Sequence, residues 1–306
     1  MTGWNEKSIP DQTGRVAVVT GANSGLGYVT VRELARKGAR VVLACRSEVR
    51  GNEAADRIMA EVPHAIAEFR RLDLGDLSSV RDFAEGFPYD RLDLLVDNAG
   101  VMAPPYGTTA DGFETQFGIN HLGHFALTGL LLPTLLATPG ARVVTVSSMM
   151  HALANIDMGD LNSARRYHRW IAYARSKTAN LLFTHELSRR LAAAGADVLA
   201  TAAHPGYAAT NLQTAGPRAE GRKAAERLME VGNLVFAQSA EAGALPTLRA
   251  ATDPDARADA FFGPSFAMWR GAAAPSWRAS WTLNDQAGLR LWEASERLTG
   301  VTYEGL

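Results

Sequence analysis

The sequence contains a single cysteine, Cys45, among 306 residues. One cysteine cannot form an intrachain disulfide, and it cannot supply the several thiolates of a cysteine-based metal site. A lone thiol suits a reducing compartment, so we expect a cytoplasmic protein. The chain also lacks an excess of either charge, with 31 Lys and Arg interspersed among 32 Asp and Glu. Nucleic-acid binding usually needs a concentrated basic surface, and no nucleic-acid partner is predicted.

Very long apolar runs are missing as well. The residues before Pro10 are polar and mixed in charge, unlike the apolar centre of a signal peptide. The longest strongly apolar run, around Leu127 to Ala137, is shorter than the ~20 residues that cross a bilayer. We therefore expect no membrane span and interpret this run as a buried helix.

From Arg15 onward, short runs rich in Val, Leu and Ala alternate with longer segments of helical spacing. This alternation indicates repeated strand–helix–strand units. Because the short runs are almost continuously apolar, they fit strands that are buried on both faces of a parallel sheet. The sequence predicts a single-domain α/β protein over residues 1–306, with about seven strands in a Rossmann-type doubly wound parallel sheet and helices on both faces.

The predicted strands are Val16 to Thr20, Val41 to Ala44, Ala67 to Leu72, Leu92 to Asp97, Arg142 to Val146, Asp197 to Ala203 and a short one near Phe261. The predicted helices are Leu26 to Lys37, Asn52 to Glu61, Ser78 to Glu85, Phe113 to Leu136 and Ile171 to Ala194. Segments 151–170 and 210–228 follow the carboxyl ends of strands, where such sheets bind ligands. We expect both segments to enclose a substrate, although solvated insertions are the alternative.

A glycine-rich turn follows the first predicted strand and opens the first helix. Glycines there let the backbone turn sharply and approach a pyrophosphate, whose charge then lies at the positive end of the helix. The strand before and the helix after supply the context that a dinucleotide-binding motif requires. The candidate cofactor residues in this turn are Gly21, Asn23, Ser24, Gly25, Leu26 and Gly27.

Arg46 follows the second predicted strand, where an NAD-binding protein would carry an acidic residue for the adenosine ribose. An arginine at this place accommodates the additional phosphate of NADP. The sequence therefore favours NADP(H) as cofactor, and an unpaired surface arginine is the alternative.

Tyr173 and Lys177 lie four residues apart at the start of a predicted helix, so their side chains share one face. A nearby cation can lower the pKa of a tyrosine from ~10 by about 1 to 3 units. Such a phenol can give a proton to a carbonyl oxygen or take one from an alcohol. We expect Tyr173 to be the general acid/base.

With the glycine turn, the Tyr-x-x-x-Lys spacing resembles the short-chain dehydrogenase/reductase family, and the resemblance extends from about Gly14 to Pro264. It implies roles for several further segments. Asp73 and Leu74 resemble the pair that contacts adenine. The motif after the fourth strand is matched by Asn98, Ala99 and Gly100, but Asp97 replaces the usual first asparagine and puts the local hydrogen bonding in doubt.

The resemblance also completes a catalytic set. Asn120 matches the asparagine that holds a helix kink and an ordered water in a proton relay, and Ser148 matches the serine that hydrogen-bonds the substrate oxygen. Lys177 would also hold the nicotinamide ribose, which makes it and Tyr173 cofactor contacts. A cofactor-side loop after the sixth strand is matched by Pro205, Gly206 and Thr210.

Within the family, the segments Leu-Ala-Cys-Arg, Asn-His-Leu-Gly-His-Phe and His-Pro-Gly resemble the branch of retinol dehydrogenases, the WW-domain oxidoreductase and protochlorophyllide reductase. This resemblance implies NADP(H) and a bulky apolar carbonyl or alcohol as small-molecule substrate. A hydride-transferring oxidoreductase is the leading hypothesis. The alternatives are a catalytically silent NADP(H)-binding regulator on the same fold and a sugar-nucleotide epimerase, which resembles longer chains.

Two further patterns have ordinary explanations. His121 and His124 have a spacing that could suit a metal, but no acidic partners or third ligand are evident, and no metal site is predicted. The C-terminal extension, residues 265–306, carries several tryptophans that we expect to pack against the core or another subunit, with contact to the substrate or to a membrane as the alternatives. Homo-oligomer formation is left open. These tryptophans are Trp269, Trp277, Trp281 and Trp292.

Overall fold

Buried runs of Val, Leu and Ala form the strands of a central sheet in the computed structural model, which describes residues 3–207 and 238–306. Within those residues the sheet has eight strands in the order β3-β2-β1-β4-β5-β6-β7-β8. All neighbouring pairs are parallel except β7 and β8. The strands are β1 Val16–Thr20, β2 Arg40–Cys45, β3 Ile66–Arg71, β4 Leu94–Asp97, β5 Ala141–Val146, β6 Val198–Ala203, β7 Phe261–Phe266 and β8 Arg270–Pro275.

Helices cover both faces of this sheet, as the sequence predicted. Successive residues of β1 point to opposite faces, so Ala17 and Val19 join one hydrophobic core while Val18 joins the other. The helices are α1 Gly25–Arg36, α2 Glu48–Glu61, α3 Leu77–Glu85, α4 Thr115–Leu136, α5 Arg169–Ala193, α6 Ala240–Thr252 and α7 Asp285–Thr299.

Helix α4 contains one turn of π-helix at Gly118–Leu122 between two α-helical parts. By length and composition this helix could cross a bilayer, and 72% of its most apolar stretch is buried inside the protein. Phe125 and Leu127 are fully buried in the core against the sheet. The apolar run of the sequence is therefore a buried helix, as predicted.

The C-terminal extension adds structure that the sequence pattern did not predict. Strand β8 pairs antiparallel with β7, and Trp4 forms a bridge with Ala273 on the far side of β8. Helix α7 packs on α5, where Trp292 is 1% exposed and stacks on Phe183 at a centroid distance of 5.9 Å. The expected core packing is thus confirmed for Trp292, whereas Trp277 remains 58% exposed.

Candidate active site

The carboxyl ends of the central strands bring the predicted catalytic residues together. Asn98 follows β4 and Ser148 follows β5, and both strands end at the same edge because they are parallel. Helix α5 then returns past this edge and contributes Tyr173 and Lys177 near its amino-terminal end. Asn120 lies in the π turn of α4.

Tyr173 and Ser148 are the two hydroxyl groups of this centre. Tyr173 is 5% exposed, and the Ser148 hydroxyl interacts with its phenol. Ser148 lies two residues after β5 in extended backbone, and its hydroxyl accepts the Met150 amide at 3.2 Å. A carbonyl oxygen placed between the two hydroxyls could accept a hydrogen bond from each of them.

The pKa of Tyr173 differs from the sequence expectation. Burial raises it to about 12, and the Ser148 side chain opposes this rise only in part. The Lys177 Nζ lies 5.7 Å from the Tyr173 ring centroid and donates to the carbonyl of Val146 at 3.1 Å. The expectation that Lys177 lowers this pKa below 10 was wrong, because burial of the phenol sets the pKa and only the Ser148 side chain opposes it.

Lys177 is a buried cation without a carboxylate partner among its described contacts. It is 3% exposed, and burial lowers its pKa to about 8. A Cβ atom at Gly100 would lie 3.5 Å from Lys177 Nζ and 3.0 Å from Asn120 Oδ1. Glycine at position 100 therefore keeps the space beside the ammonium group open.

Asn120 is held by three hydrogen bonds. Its Nδ2 donates to the carbonyl of Val101 at 3.0 Å and to Ser176 Oγ at 2.9 Å, while its Oδ1 accepts the Val101 amide at 2.8 Å. Ser176 in turn donates to the carbonyl of Tyr173 at 2.8 Å. Asn120 thus ties the π turn to the loop after β4 and to the helical turn that carries the tyrosine.

The glycine-rich turn has the backbone that a dinucleotide cradle requires. Gly21 and Gly25 have φ values of +65° and +56°, a region that side chains with a Cβ disfavour. A Cβ atom at Gly27 would lie 2.6 Å from the carbonyl of Gly21 and 2.7 Å from Asn98 Nδ2. The Ser24 side chain makes no capping hydrogen bond at the start of α1, so the first-turn amides can face an anion.

The second side of the cradle is formed after β2 and β3. The backbone amide of Asn23 interacts with the Cys45 thiol, so the glycine-rich turn lies against the end of β2. Burial raises the pKa of this thiol to about 11. The Arg46 side chain is 69% exposed and its Nε lies 4.0 Å from Asp73 Oδ2. Asp73 Oδ1 accepts the Gly75 amide at 3.0 Å. Arg46 is therefore reachable by a phosphate at this rim.

The remaining predicted cofactor residues have varied surroundings. Leu74 is 7% exposed and packs against Gly123 of α4, while Leu26 and Ala99 are half-buried at the cradle. Gly206, after Pro205, has a φ of +65° and its amide donates to His204 Nδ1 at 3.2 Å. Thr210 and segment 210–228 lie outside the described residues.

Asp97, which replaces the family's asparagine, is fully buried at the end of β4. Its Oδ2 accepts the Thr128 hydroxyl at 3.1 Å, and its Oδ1 has no hydrogen-bond partner among the described residues. Burial raises the pKa of Asp97 well above its usual value. At the position where the sequence departs from the family pattern, the Asp97 carboxyl thus makes one hydrogen bond among the described residues, and its other oxygen is unpaired there.

Hydrogen bonds connect segment 151–170 to helix α5 and to the loop that contains Pro104. Thr178 donates to the carbonyls of His151 and Ala154, and Tyr167 donates to the carbonyl of Pro104 at 2.7 Å. Beside it a groove of about 520 Å³ opens one helical turn before Tyr173. The groove is lined by Pro105, Tyr106, Tyr167, His168, Arg169 and Trp170.

Some residues that support this centre were not found from the sequence. Gln116 is buried, accepts the Ala103 amide at 2.9 Å and donates to Tyr167 Oη and the Arg169 carbonyl. His151 is buried beneath Ser148 and its Nε2 accepts the Ala279 amide at 3.1 Å. A polar residue on an otherwise apolar helix face is a signal that could have found Gln116.

His121 and His124 make separate hydrogen bonds within the protein. His121 Nε2 contacts Ser295 Oγ at 2.8 Å, while His124 contacts Thr20 and the carbonyl of Asn120. Among residues 3–207 and 238–306, no group of three His, Cys, Asp or Glu side chains is arranged to hold a metal ion.

The fold and this site define a nicotinamide-dependent oxidoreductase of the Rossmann type, and comparison with known proteins gives its family. The model of the short chain dehydrogenase family matches residues 15–221. Human retinol dehydrogenase 12 is 41% identical over 295 residues, which cover 95% of this chain and 88% of the relative. Human retinol dehydrogenase 13 is 48% identical over 202 residues, 65% of this chain and 60% of the relative. The chain belongs to the short-chain dehydrogenase/reductase family and resembles its retinol dehydrogenase branch.

Solved structures agree with the fold. An uncharacterized protein from Mycobacterium paratuberculosis is 46% identical, with a TM-score of 0.82 and 99% coverage of both chains. An Escherichia coli CFT073 chain assigned to the short chain dehydrogenases, solved with NADPH, is 25% identical with a TM-score of 0.55, covering 69% of this chain and 84% of the other.

Proposed function

We propose that this protein transfers a hydride between NADP(H) and the carbonyl or alcohol carbon of a bulky apolar small molecule, with Tyr173 as the general acid/base. The observation that carries the proposal is the meeting of the Tyr173 and Ser148 hydroxyls beside the buried cation of Lys177. This meeting occurs at the carboxyl edge of the sheet, next to a glycine turn with the backbone of a dinucleotide cradle.

NADPH, when bound, supplies the hydride that forms the new C–H bond. Gly21, Gly25 and the start of α1 would hold its pyrophosphate, and Lys177 its nicotinamide ribose. Ser148 donates a hydrogen bond to the substrate oxygen, and Tyr173 gives that oxygen its phenolic proton, so the C=O bond becomes C–OH. The phenolate left behind is stabilised by the ammonium group of Lys177.

The raised pKa of Tyr173 keeps the phenol in the protonated form that carbonyl reduction requires. With a pKa of about 12 the phenol is protonated at neutral pH and can act directly as an acid. Alcohol oxidation would begin from the phenolate, which burial disfavours. Reduction is therefore the direction in which the resting protonation state is already correct.

Replacement of Tyr173 tests this mechanism. Tyr173→Phe keeps the ring and its packing but removes the proton, so kcat should fall by about 10² to 10⁴-fold while NADPH affinity and folding persist. Steady-state rates and fluorescence titration with NADPH measure the two quantities. Tyr89→Phe, which removes a phenol beside Arg40 far from the site, is the matched control and should leave both unchanged.

Near-normal turnover by Tyr173→Phe would defeat the mechanism. A wild-type protein that binds NADPH yet reduces nothing across a broad panel of apolar aldehydes, ketones and quinones would instead identify a cofactor-binding regulator.

The preference for NADP(H) over NAD(H) is proposed from Arg46, whose exposed side chain follows β2. The short-chain dehydrogenase structure solved with NADPH supports this choice. Arg46→Ala should weaken NADPH binding by about tenfold and leave NADH binding unchanged, because only NADPH carries the additional phosphate. Arg257→Ala removes an exposed arginine at the opposite edge of the sheet and is the control. Equal affinity of the wild type for the two cofactors would refute the preference.

The substrate is proposed to be apolar because the relatives are named retinol dehydrogenases and because Tyr106, Tyr167 and Trp170 line the groove at the start of α5. Retinaldehyde is accordingly the first carbonyl to test. Turnover confined to small charged acids would exclude the apolar substrate class.

We also propose that segment 151–170 helps to enclose the substrate and that the protein acts in the cytoplasm.

A further inference from the structure

His124 connects two loops and the π turn of α4, all of which the proposed reaction needs. It is 1% exposed, one helical turn after Asn120 on α4. Its Nδ1 is 3.0 Å from the carbonyl of Asn120, and its Nε2 is 2.9 Å from Thr20 Oγ1. Thr20 is the last residue of β1 and begins the glycine-rich turn.

The hydrogen bonds assign a single tautomer to this ring. The Asn120 carbonyl can only accept, so the proton lies on Nδ1. In the neutral ring Nε2 then accepts, and the Thr20 hydroxyl donates to it. Thr20 Oγ1 itself accepts the amides of Asn98 and Ala99, each at 2.9 Å.

We propose that His124 is a positioning residue that holds the glycine turn, the loop after β4 and the catalytic asparagine in one register, through its bonds to Thr20 and Asn120. This inference rests on the proposed function. Thr20, Asn120 and His124 are buried, and each polar group that bonds them has a partner, so one missing member would leave others unpaired. Displacement of the loops would misplace both the cofactor and the hydroxyls of Ser148 and Tyr173 that are proposed to bind the substrate oxygen.

His124→Phe tests the proposal, because phenylalanine keeps a ring in the site and removes both hydrogen bonds. We expect kcat to fall by about 10 to 100-fold and the NADPH dissociation constant to rise several-fold in folded protein. His124→Gln, whose amide oxygen can reach the Thr20 hydroxyl, should restore part of the NADPH affinity. His121→Phe is the matched control, since His121 is equally buried in the same helix but bonds to Ser295.

The control should lose thermal stability without a change in kcat or NADPH affinity. If His124→Phe behaves in the same way, its role is only structural and the proposal is overturned. Should His124→Phe fail to fold, Thr20→Val makes the same measurement from the other end of the bond, and unchanged NADPH affinity there overturns the proposal as well. A wild type inactive on every carbonyl would count against the proposed function alone, because the NADPH titrations would still decide the role of His124.

Discussion

Two cationic side chains of helix α5, Lys177 and His185, lie about two turns apart in opposite surroundings. Lys177 is 3% exposed and has no carboxylate among its described contacts, and burial lowers its pKa to about 8. His185 lies between Asp259, at 2.7 Å from Nδ1, and Asp285, at 2.9 Å from Nε2. The hydrogen bond to Asp259, with a smaller one to Asp285, raises the pKa of His185 despite partial burial.

The difference separates two uses of charge. Where carboxylates are present, pairing outweighs desolvation and the charge stabilises the fold. In the candidate active site desolvation wins, and Tyr173 and Lys177 are held with pKa values set mainly by burial. A cation without a carboxylate partner remains available to a ribose hydroxyl or a phenolate, as a proton-transfer site requires.

Within this comparison of charged groups, the largest effect is expected at Lys177. Its ammonium form dominates below pH 8, so NADPH affinity and kcat should fall as the pH rises through about 8. Lys177→Met keeps most of the stem, loses the charge and should lower kcat by roughly 10²-fold. Rates and NADPH titrations from pH 6.5 to 9.5 measure both effects, with pH values of this range chosen to bracket the pKa.

Arg46→Ala is the control for that titration, because it weakens NADPH binding at another point of the cradle and should retain the dependence on pH. A wild-type NADPH affinity that stays constant across pH 8 would show that the ammonium group of Lys177 makes no contact with the cofactor.

A smaller effect is expected from the two buried carboxylates at the ends of β4. Asp97 is unpaired at Oδ1 and burial raises its pKa, whereas Asp93 pairs with Arg91 and accepts the Val16 amide. Although burial acts to raise the pKa of Asp93, those partners hold it below its usual value. Asp97→Asn should therefore stabilise the protein at pH 7 by roughly 1 to 3 kcal/mol, since it removes a poorly satisfied acid.

The sign follows from linkage. When the pKa of a carboxyl is raised in the folded state, that carboxyl lowers the free energy of unfolding as the pH rises from about 4 toward the folded pKa. The stabilisation by Asp97→Asn should therefore shrink near pH 4. Asp93→Asn should act oppositely and destabilise the protein at pH 7. Urea unfolding at pH 4.5, 6 and 7.5 gives both free energies, and destabilisation by Asp97→Asn at pH 7.5 would contradict the comparison.

The layered fold could be predicted because its strands are buried on both faces and so read as apolar runs. β8, α6 and α7 were not predicted, and for β8 the reason is physical. The β8 segment has only one fully buried residue, Ala273, and its sequence of Gly and Ala carries no strand pattern. The apolar pattern does not show the π turn in α4, because an additional residue in one turn leaves an apolar helix apolar, and only the resemblance at Asn120 implied a helix kink there.

The candidate site was predicted in its parts, since Tyr173, Lys177, Ser148 and Asn120 follow a known pattern and do converge. The sequence could not give the balance between charge and burial. Spacing places Lys177 beside Tyr173, but only the packing shows that both are removed from water and that the ammonium group turns to Val146. The bond from His124 to Thr20 joins residues 104 positions apart, beyond the reach of local pattern.

The smallest effect is expected at His185 of α5, which pairs with Asp259 and Asp285. A histidine whose folded pKa is raised contributes stability that is complete below its unfolded pKa of ~6.5 and is lost as the pH rises through the folded pKa. His185→Gln should therefore lower the free energy of unfolding by about 1 kcal/mol at pH 5.5 and by less at pH 9. Urea unfolding at the two pH values measures the difference, and His64→Gln, at an exposed histidine, is the control substitution. A His185→Gln effect that is the same at both pH values would mean that packing, and not the charge shared with Asp259 and Asp285, holds this end of the helix in place.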